Sequence, residues 1–497
     1  MRSAGRAESL MVSSGVGTFI ETEGEAEGTG HKRTQGRELL YSTLKWLVAW
    51  GVILSVYVAV FHFDKLGQLQ QRFMSLFMGA AAFNTGVAFS LLAMTVFVWR
   101  VVLVCRYRSI EPCTDEELPR CTVVVPAYNE GRQVFVTMES LAQSDYPAKK
   151  LQLIAVDDGS VDDTWHWIRE AEKKFRGRVR ALRMLTNQGK RHALNKGFRN
   201  AWGDVVVTVD SDCTVEPQTL RYIVSHFVRN PRVGAVAGNV RVLNRDAGLI
   251  PKMMDVVFLY GFDFVRASQS VVNSVLCTPG ALSAYRMPLV RKVLKEWLEE
   301  KFLGRPVKIG EDRGLTNLVL REGYHVLFER KAVVYTEVPV KFKNLCKMYL
   351  RWERSNVQQT IGMCRYAFTR FRPEGKLGAR VNLIVSVLDY AQVLAFTGFT
   401  YYYLIFYPTA CAFQLLLVTI GASTVSFLLY LYHRRDSDAI WAFAYGVFYV
   451  LALFWITPYS MLTPHKNAWL TRQVRQPRTG LRERDDLAAA ALSGNPF

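Results

Sequence analysis

The sequence predicts an α/β domain, doubly wound, set between two hydrophobic, membrane-type ends. Three observations carry that prediction. Between residues 107 and 380, β-branched runs alternate with helix-period segments, the pattern of repeated strand–helix–strand units. Two of those runs end in paired carboxylates, Asp157-Asp158 and Asp210-Ser211-Asp212, and strand ends are where open α/β sheets bind ligands. Long apolar stretches with few charges lie on either side.

Residues 1–38 are rich in Gly, Glu, Ser, Thr and Arg and read as a disordered cytosolic tail, without an apolar signal core of their own. The runs 39–63 and 74–104 each suffice to cross a bilayer, giving two transmembrane helices within 39–106. Three more, 383–406, 409–432 and 439–462, predict three or four crossings within 383–463. Three crossings put His433-Arg434-Arg435 inside but leave the carboxyl end outside, against Lys466, Arg472, Arg475 and Arg478. Four crossings, with one stretch in 383–432 split or re-entrant, return that end to the inside.

The 497-residue chain carries a net charge of +19. Arg106, Arg108, Arg370, Arg372, Lys376 and Arg380 border the middle region, so the positive-inside rule makes that region cytosolic in a multi-pass plasma-membrane protein. The basic skirt suits anionic membrane lipid as a partner. No nucleic-acid recognition motif appears, and the membrane already accounts for the charge, so no nucleic-acid partner is expected. Eight cysteines are scattered without CxxC or zinc spacing, which predicts reduced thiols in a cytosolic setting.

Within the middle domain, 107–340, the runs 121–127, 151–156, 179–185 and 205–209 predict strands, and 131–143, 162–174 and 190–202 predict helices. This order puts the two carboxylate pairs on adjacent strand ends, in one crevice. GxGxxG after the first strand and GxxxxGK[ST] are both absent, which disfavours a dinucleotide fold or a P-loop ATPase. The first strand instead runs into Pro126-Ala127-Tyr128-Asn129-Glu130, whose ring and carboxylate can stack on and hydrogen-bond a nucleobase. Asp210 and Asp212, with Asp157-Asp158 nearby, suit a divalent ion, Mg²⁺ or Mn²⁺, shared with substrate phosphates. Lys190 and Arg191, at a helix start, can add cationic contacts to those phosphates.

Gly310-Glu311-Asp312-Arg313 precedes a helical stretch, 314–321; Asp312 reads either as a helix cap or as a general base. Residues 341–360 have the period of an amphipathic helix, with Leu345, Met348 and Trp352 on one face and Arg351, Arg354 and Gln358 on another. With Lys341, Lys343 and Lys347 it reads as a membrane-surface helix, the start of an interfacial segment 341–382. Arg351 and Trp352 could also hold a phosphate and stack a sugar ring. His166, His192, His226 and His325 lack metal-ligand spacing and read as packed or solvated.

Taken together, Pro126–Glu130, Asp157–Ser160, Asn187-Gln188-Gly189-Lys190-Arg191, Asp210-Ser211-Asp212, Gly310–Arg313 and Arg351-Trp352 resemble the inverting, membrane-embedded family 2 glycosyltransferases with a GT-A fold. Hyaluronan synthases and nodulation-type chitooligosaccharide synthases are the most similar members. Cys277-Thr278-Pro279-Gly280-Ala281-Leu282-Ser283-Ala284-Tyr285-Arg286 is similar to their glycine-containing segment, and Trp469 and Arg472, in the terminal segment 464–497, resemble their closing Trp-x-x-Arg motif. The resemblance implies that Tyr128, Glu130, Asp157 and Asp158 hold the uridine of a UDP-sugar. It implies that Lys190, Asp210 and Asp212 hold diphosphate and metal, and that Asp312 deprotonates the acceptor hydroxyl. Arg351, Trp352, Cys277, Trp469 and Arg472 then belong to the acceptor end and the diphosphate. In one place the chain departs from the Gln-x-x-Arg-Trp pattern: Met348 takes the glutamine position, and a thioether cannot replace an amide's hydrogen bonds.

The function so implied is that of a polysaccharide synthase. It would transfer N-acetylglucosamine, alone or alternating with glucuronate, to a growing β-linked chain and pass the chain through its own membrane spans. Two alternatives stay open: a β-glucan synthase using UDP-glucose, and a transferase of single sugars to a lipid.

Overall fold

Residues 27–61, 63–76 and 78–466 are described by a computed structural model. Among them the strands are β1 (Cys121–Ala127), β2 (Leu151–Asp157), β3 (Val179–Arg183), β4 (Val205–Val209), β5 (Cys213–Val215), β6 (Val233–Val242), β7 (Leu282–Arg286), β8 (Lys301–Phe302), β9 (Arg305–Pro306) and β10 (His325–Thr336). Eight form one sheet in the order β3-β2-β1-β4-β7-β6-β10-β5, while β8 and β9 make a small hairpin. The β-branched runs β1, β2 and β4 are buried along their whole length, as strands covered on both faces must be. Helices Gln133–Ala142, Thr164–Lys174 and Lys190–Asn200 fall inside the segments expected for them.

Two features of the sheet differ from expectation. β1 pairs with β2 on one side and β4 on the other, so the two carboxylate pairs flank β1 and do not end neighbouring strands. The sheet is also mixed: β7 runs antiparallel between β4 and β6, and β5 antiparallel along β10. Hydrophobic period reports burial and carries no information on strand direction or order.

The chain divides into two compact units at Leu54–Ser55. The first is helical from Glu27, so residues 27–38 extend a helix where a loose tail was expected. Gly28, Gly30 and Gly36 are poor helix formers, but elongating an existing helix costs far less than starting one. Residues 1–26 and 467–497 lie outside the described residues. Among the described residues, three helices are long and apolar enough to cross a membrane: Glu38–Tyr57, Gly79–Arg106 and Lys376–Phe406. A bent pair, Ser437–Leu453 and Ile456–Leu462, would raise the number to four if it forms one span. The expected stretch 409–432 coincides with the helix Pro408–Arg434.

Helix Phe342–Cys364 covers the stretch expected to be an amphipathic helix. Lys341 to Asn344 are exposed, but the polar face beyond them is buried. Arg354 donates to Thr463 Oγ1 at 3.3 and 3.2 Å, Gln358 to the Pro464 carbonyl, and Gln359 accepts from Asn317. Amphipathic period cannot tell a lipid-facing polar face from one that meets polar partners inside the protein. Burial is tolerated at Arg354, Gln358 and Gln359 because each of these residues makes a hydrogen bond inside the protein.

Candidate active site

The strand order brings the ends of β1, β2 and β4 together. β1 leaves the sheet at Ala127, which pairs with Asp157, and the Asp158 amide donates to the Ala127 carbonyl at 2.9 Å. The Tyr128–Glu130 turn is then tied to the next strand end: the Asn129 amide donates to Ser160 Oγ at 3.0 Å, and Asn129 Oδ1 accepts from the Val161 amide. Tyr128, Glu130, Asp157 and Asp158 therefore share one wall of the crevice.

Asp157 is fully buried; its Oδ1 accepts from the Ser160 amide at 2.9 Å, and Arg183 Nε lies 3.1 Å from Oδ2. Asp158 accepts from the amides of Gln188 and Gly189 at 2.9 and 2.8 Å. Burial pushes its carboxyl up to about 6, only partly countered by those two amides. The Asn187–Gly189 loop is thereby held against β2, and Lys190 starts its helix directly beyond it.

Lys190 is the centre of the site. Its Nζ stands 2.6 Å from Asp210 Oδ1 and 2.9 Å from Glu311 Oε1. Burial of the ammonium opposes its charge, but Asp210 and Glu311 outweigh that and hold its pKa above the ordinary lysine value. Burial alone would likewise raise Glu311, yet Lys190 draws its carboxyl down to about 2. Gly280 makes room for this meeting: a Cβ there would lie 2.5 Å from Lys190 Nζ and 3.4 Å from Asp210 Oδ2.

Asp312 is not a cap. Gly310, in the left-handed region at φ 70°, occupies the cap position of helix Glu311–Arg321, where a Cβ would run into Ser355 Oγ. Asp312 lies in the first turn, its Oδ2 accepting from the Gly280 amide at 3.2 Å and its Oδ1 from the Arg313 amide at 2.7 Å. Burial raises its pKa first, and the neighbouring Glu311 charge raises it further. Cys277 Sγ lies 3.9 Å from Asp312 Oδ2, and burial pushes its thiol up to about 12. Arg351 is close enough for its charge to favour the ionised forms of both Glu311 and Asp312. Trp352 instead packs against Phe258 and Tyr349, with ring centroids 6.3 and 5.8 Å away.

The structure thus joins Lys190, Asp210, Asp312 and Cys277 in one site, with Arg351 at its edge. Trp469 and Arg472 lie outside the described residues. Arg191, expected beside the phosphates, turns away and pairs with Glu300. Sequence reasoning missed Glu311 as the second partner of Lys190 and Gly280 as the space between them; the acidic triplet and the Pro279-Gly280 turn were the available signals. Met348 is buried in the core.

Asp210 and Asp212 fit a divalent cation. Among the described residues no group of three or more His, Cys, Asp or Glu side chains could hold one. Two carboxylate donors would leave the remaining positions to phosphate oxygens, which is how Mg²⁺ is commonly shared with a substrate.

Comparison with known proteins defines the class. The family model described as "Glycosyltransferase like family 2" matches residues 119–355. These residues form a family 2 glycosyltransferase domain with a GT-A-like fold. An N-acetylglucosaminyltransferase of Rhizobium meliloti is 31% identical over 288 residues, covering 55% of this chain and 66% of that protein. A hyaluronan synthase of Streptococcus pyogenes is 32% identical over 247 residues, 49% of this chain and 58% of that protein. The chain thus spans less than two thirds of either relative. An N-acetylglucosaminyltransferase of Azorhizobium caulinodans is 27% identical over 366 residues, 71% of this chain and 88% of that protein. Among solved structures, the Pyrobaculum calidifontis mannosyltransferase in complex with GDP-mannose and Mn²⁺ shares the fold, with a TM-score of 0.54 and 20% identity. That match covers 78% of this chain and 98% of the mannosyltransferase.

Proposed function

We propose that this chain is an inverting polysaccharide synthase of the plasma membrane. It transfers sugar from a UDP-sugar to a growing β-linked chain and passes the product through its own spans, with the catalytic domain cytosolic. The observation that carries this reading is the Lys190 ammonium between Asp210 and Glu311, with Asp312 next in the same acidic turn. A cation for the diphosphate and a base for the acceptor stand side by side.

In the proposed reaction the acceptor hydroxyl attacks the anomeric carbon from the face opposite the diphosphate. Its proton goes to Asp312 while the bond from the anomeric carbon to the diphosphate oxygen breaks, leaving UDP. A carboxylate whose pKa is raised by burial is a better proton acceptor than an ordinary one, provided it is ionised. Lys190 holds the departing diphosphate. Tyr128, Glu130, Asp157 and Asp158 orient the uridine. Asp210 and Asp212 would hold Mg²⁺ or Mn²⁺, which supplies charge neutralisation of the leaving group when bound.

The names of the relatives favour N-acetylglucosamine, alone or alternating with glucuronate, as the sugar. From Trp352 a path of aromatic contacts reaches the bent helical pair. Trp352 packs on Tyr349, whose hydroxyl lies 3.0 Å from that of Tyr445 in the bent helical pair. Membrane lipid is a partner in this reading. Met348, buried where the family pattern has glutamine, favours as a second reading the transfer of single sugars to a lipid.

The decisive experiment supplies membranes with each radiolabelled UDP-sugar plus Mg²⁺ or Mn²⁺ and sizes the product. A long polymer is expected from UDP-N-acetylglucosamine, with or without UDP-glucuronate. A short lipid-linked product would favour the second reading, and no incorporation from any donor by folded protein would remove both.

A further inference from the structure

Behind the base helix lies a second set of polar side chains, to which neither the fold nor the proposed reaction gives a role. Arg191 follows Lys190 but turns inward, donating to the Trp297 carbonyl and to Glu300 Oε2 at 3.0 Å, with its guanidinium 5.1 Å from the Trp297 ring. The other Glu300 oxygen accepts from Gln359 Nε2 at 2.6 Å. Gln359 in turn accepts from Asn317 Nδ2 through both its side chain and its backbone carbonyl, at 2.9 and 2.8 Å. Trp297 Nε1 donates to the Glu311 carbonyl at 2.8 Å.

Each partner of Glu300 belongs to a different working part of the site. Arg191 is on the helix that starts with Lys190. Gln359 is on the helix that carries Arg351 and Trp352. Between them runs the helix that carries Glu311 and Asp312, and it lacks a side chain where the bridge passes: a Cβ on Gly314 would lie 2.9 Å from Glu300 Oε2 and 3.4 Å from Gln359 Nε2. Glu300 itself sits in the link between helix Met287–Leu298 and the β8–β9 hairpin. Hydrogen bonds to an ionised group are short and directional, so one carboxylate gripped from two sides fixes the distance between its partners.

We propose that Glu300 is a positioning residue for glycosyl transfer. Its carboxylate, held between Arg191 and Gln359, sets the spacing of Lys190, Asp312 and the acceptor end. The inference rests on the transfer reading above. Its physical basis is that misplacing a reacting group by about 1 Å costs on the order of a hundredfold in rate.

The test uses the full chain in membranes, comparing wild type with Glu300→Gln, Glu300→Asp and Gln359→Leu. Glu300→Gln is expected to lower kcat by roughly tenfold or more, with KM for the UDP-sugar and calorimetric UDP affinity within about twofold of wild type. Hydrolysis of UDP-sugar by water should rise relative to transfer, because the acceptor is misaligned while the donor still binds. Glu300→Asp should recover part of kcat, and Gln359→Leu should repeat the effect more weakly. If Glu300→Gln does not fold, Gln359→Leu decides by the same readouts. Wild-type kinetics in the folded variants would overturn the positioning role, as would kcat and KM changing together at a constant hydrolysis-to-transfer ratio; either leaves the transfer reading standing. A folded wild type that moves no sugar removes the transfer reading, and the positioning role with it.

Discussion

Lys190 Nζ and Glu311 Oε1 meet at 2.9 Å across two helix starts that are far apart in the chain. The pair joins the donor half of the site to the half that carries Asp312. With Asp210 at 2.6 Å on its other side, the ammonium is balanced by two carboxylates. A bound diphosphate would then compete with carboxylates for the same cation.

Removing the cation should therefore cost both stability and binding. Lys190→Met leaves Glu311 buried without its partner, and breaking a buried pair from one side costs about 3–5 kcal/mol. Thermal unfolding should fall accordingly, and UDP affinity should drop. The double variant Lys190→Met/Glu311→Gln should regain much of the stability and none of the UDP affinity, as read by calorimetry.

Asp312→Asn should separate chemistry from folding. Transfer is expected to fall by about 10²–10⁴, the range for losing a general base, while UDP still binds. The folded protein raises the pKa of Asp312, so ionising it works against folding at any pH above its unfolded value. The amide removes that penalty. Its melting temperature should equal or exceed that of wild type; a clearly lower one would contradict the burial described.

The same shift sets the pH dependence. Asp312 accepts a proton only when ionised, and its raised pKa moves loss of the ionised form to higher pH. The acid limb of kcat/KM should lie above the value of about 3.9 for an unperturbed aspartate. Burial pushes the Asp158 carboxyl up to about 6, and as a carboxylate it accepts from the Gln188 and Gly189 amides. UDP affinity should weaken as pH falls through that value, and Asp158→Asn should flatten the dependence.

Gly280→Ala probes the space beside Lys190. The added Cβ would lie 2.5 Å from Nζ, the free end of a long side chain that can swing aside. Stability should change by less than about 1 kcal/mol, whereas KM for the UDP-sugar should rise because the ammonium is displaced.

Several parts of this site were legible in the residues themselves. β-Branched runs ending in acids marked the ends of β2 and β4, since burial on both faces writes itself into composition. Asp312 stood out by its acidic turn before a helix. Helix Phe342–Cys364 was legible as a helix, but its environment was not, because period cannot distinguish lipid from buried polar partners such as Thr463 and Pro464. Arg191 was misplaced for a related reason: neighbouring residues at a helix start point in different directions, and only packing shows which one faces the crevice.

By itself, then, the sequence determined the chemistry on offer: carboxylate pairs at strand ends, an acidic turn, a lysine at a helix start, and apolar runs long enough for a membrane. Those properties depend on residues close together in the chain. Which groups meet was decided only by the tertiary structure. β1 between β2 and β4 separates the two acidic pairs, and helix packing brings Lys190 to Glu311 and Arg191 to Glu300. Such contacts depend on strand order and helix placement, which arise from burying the whole core at once and leave no local period to read.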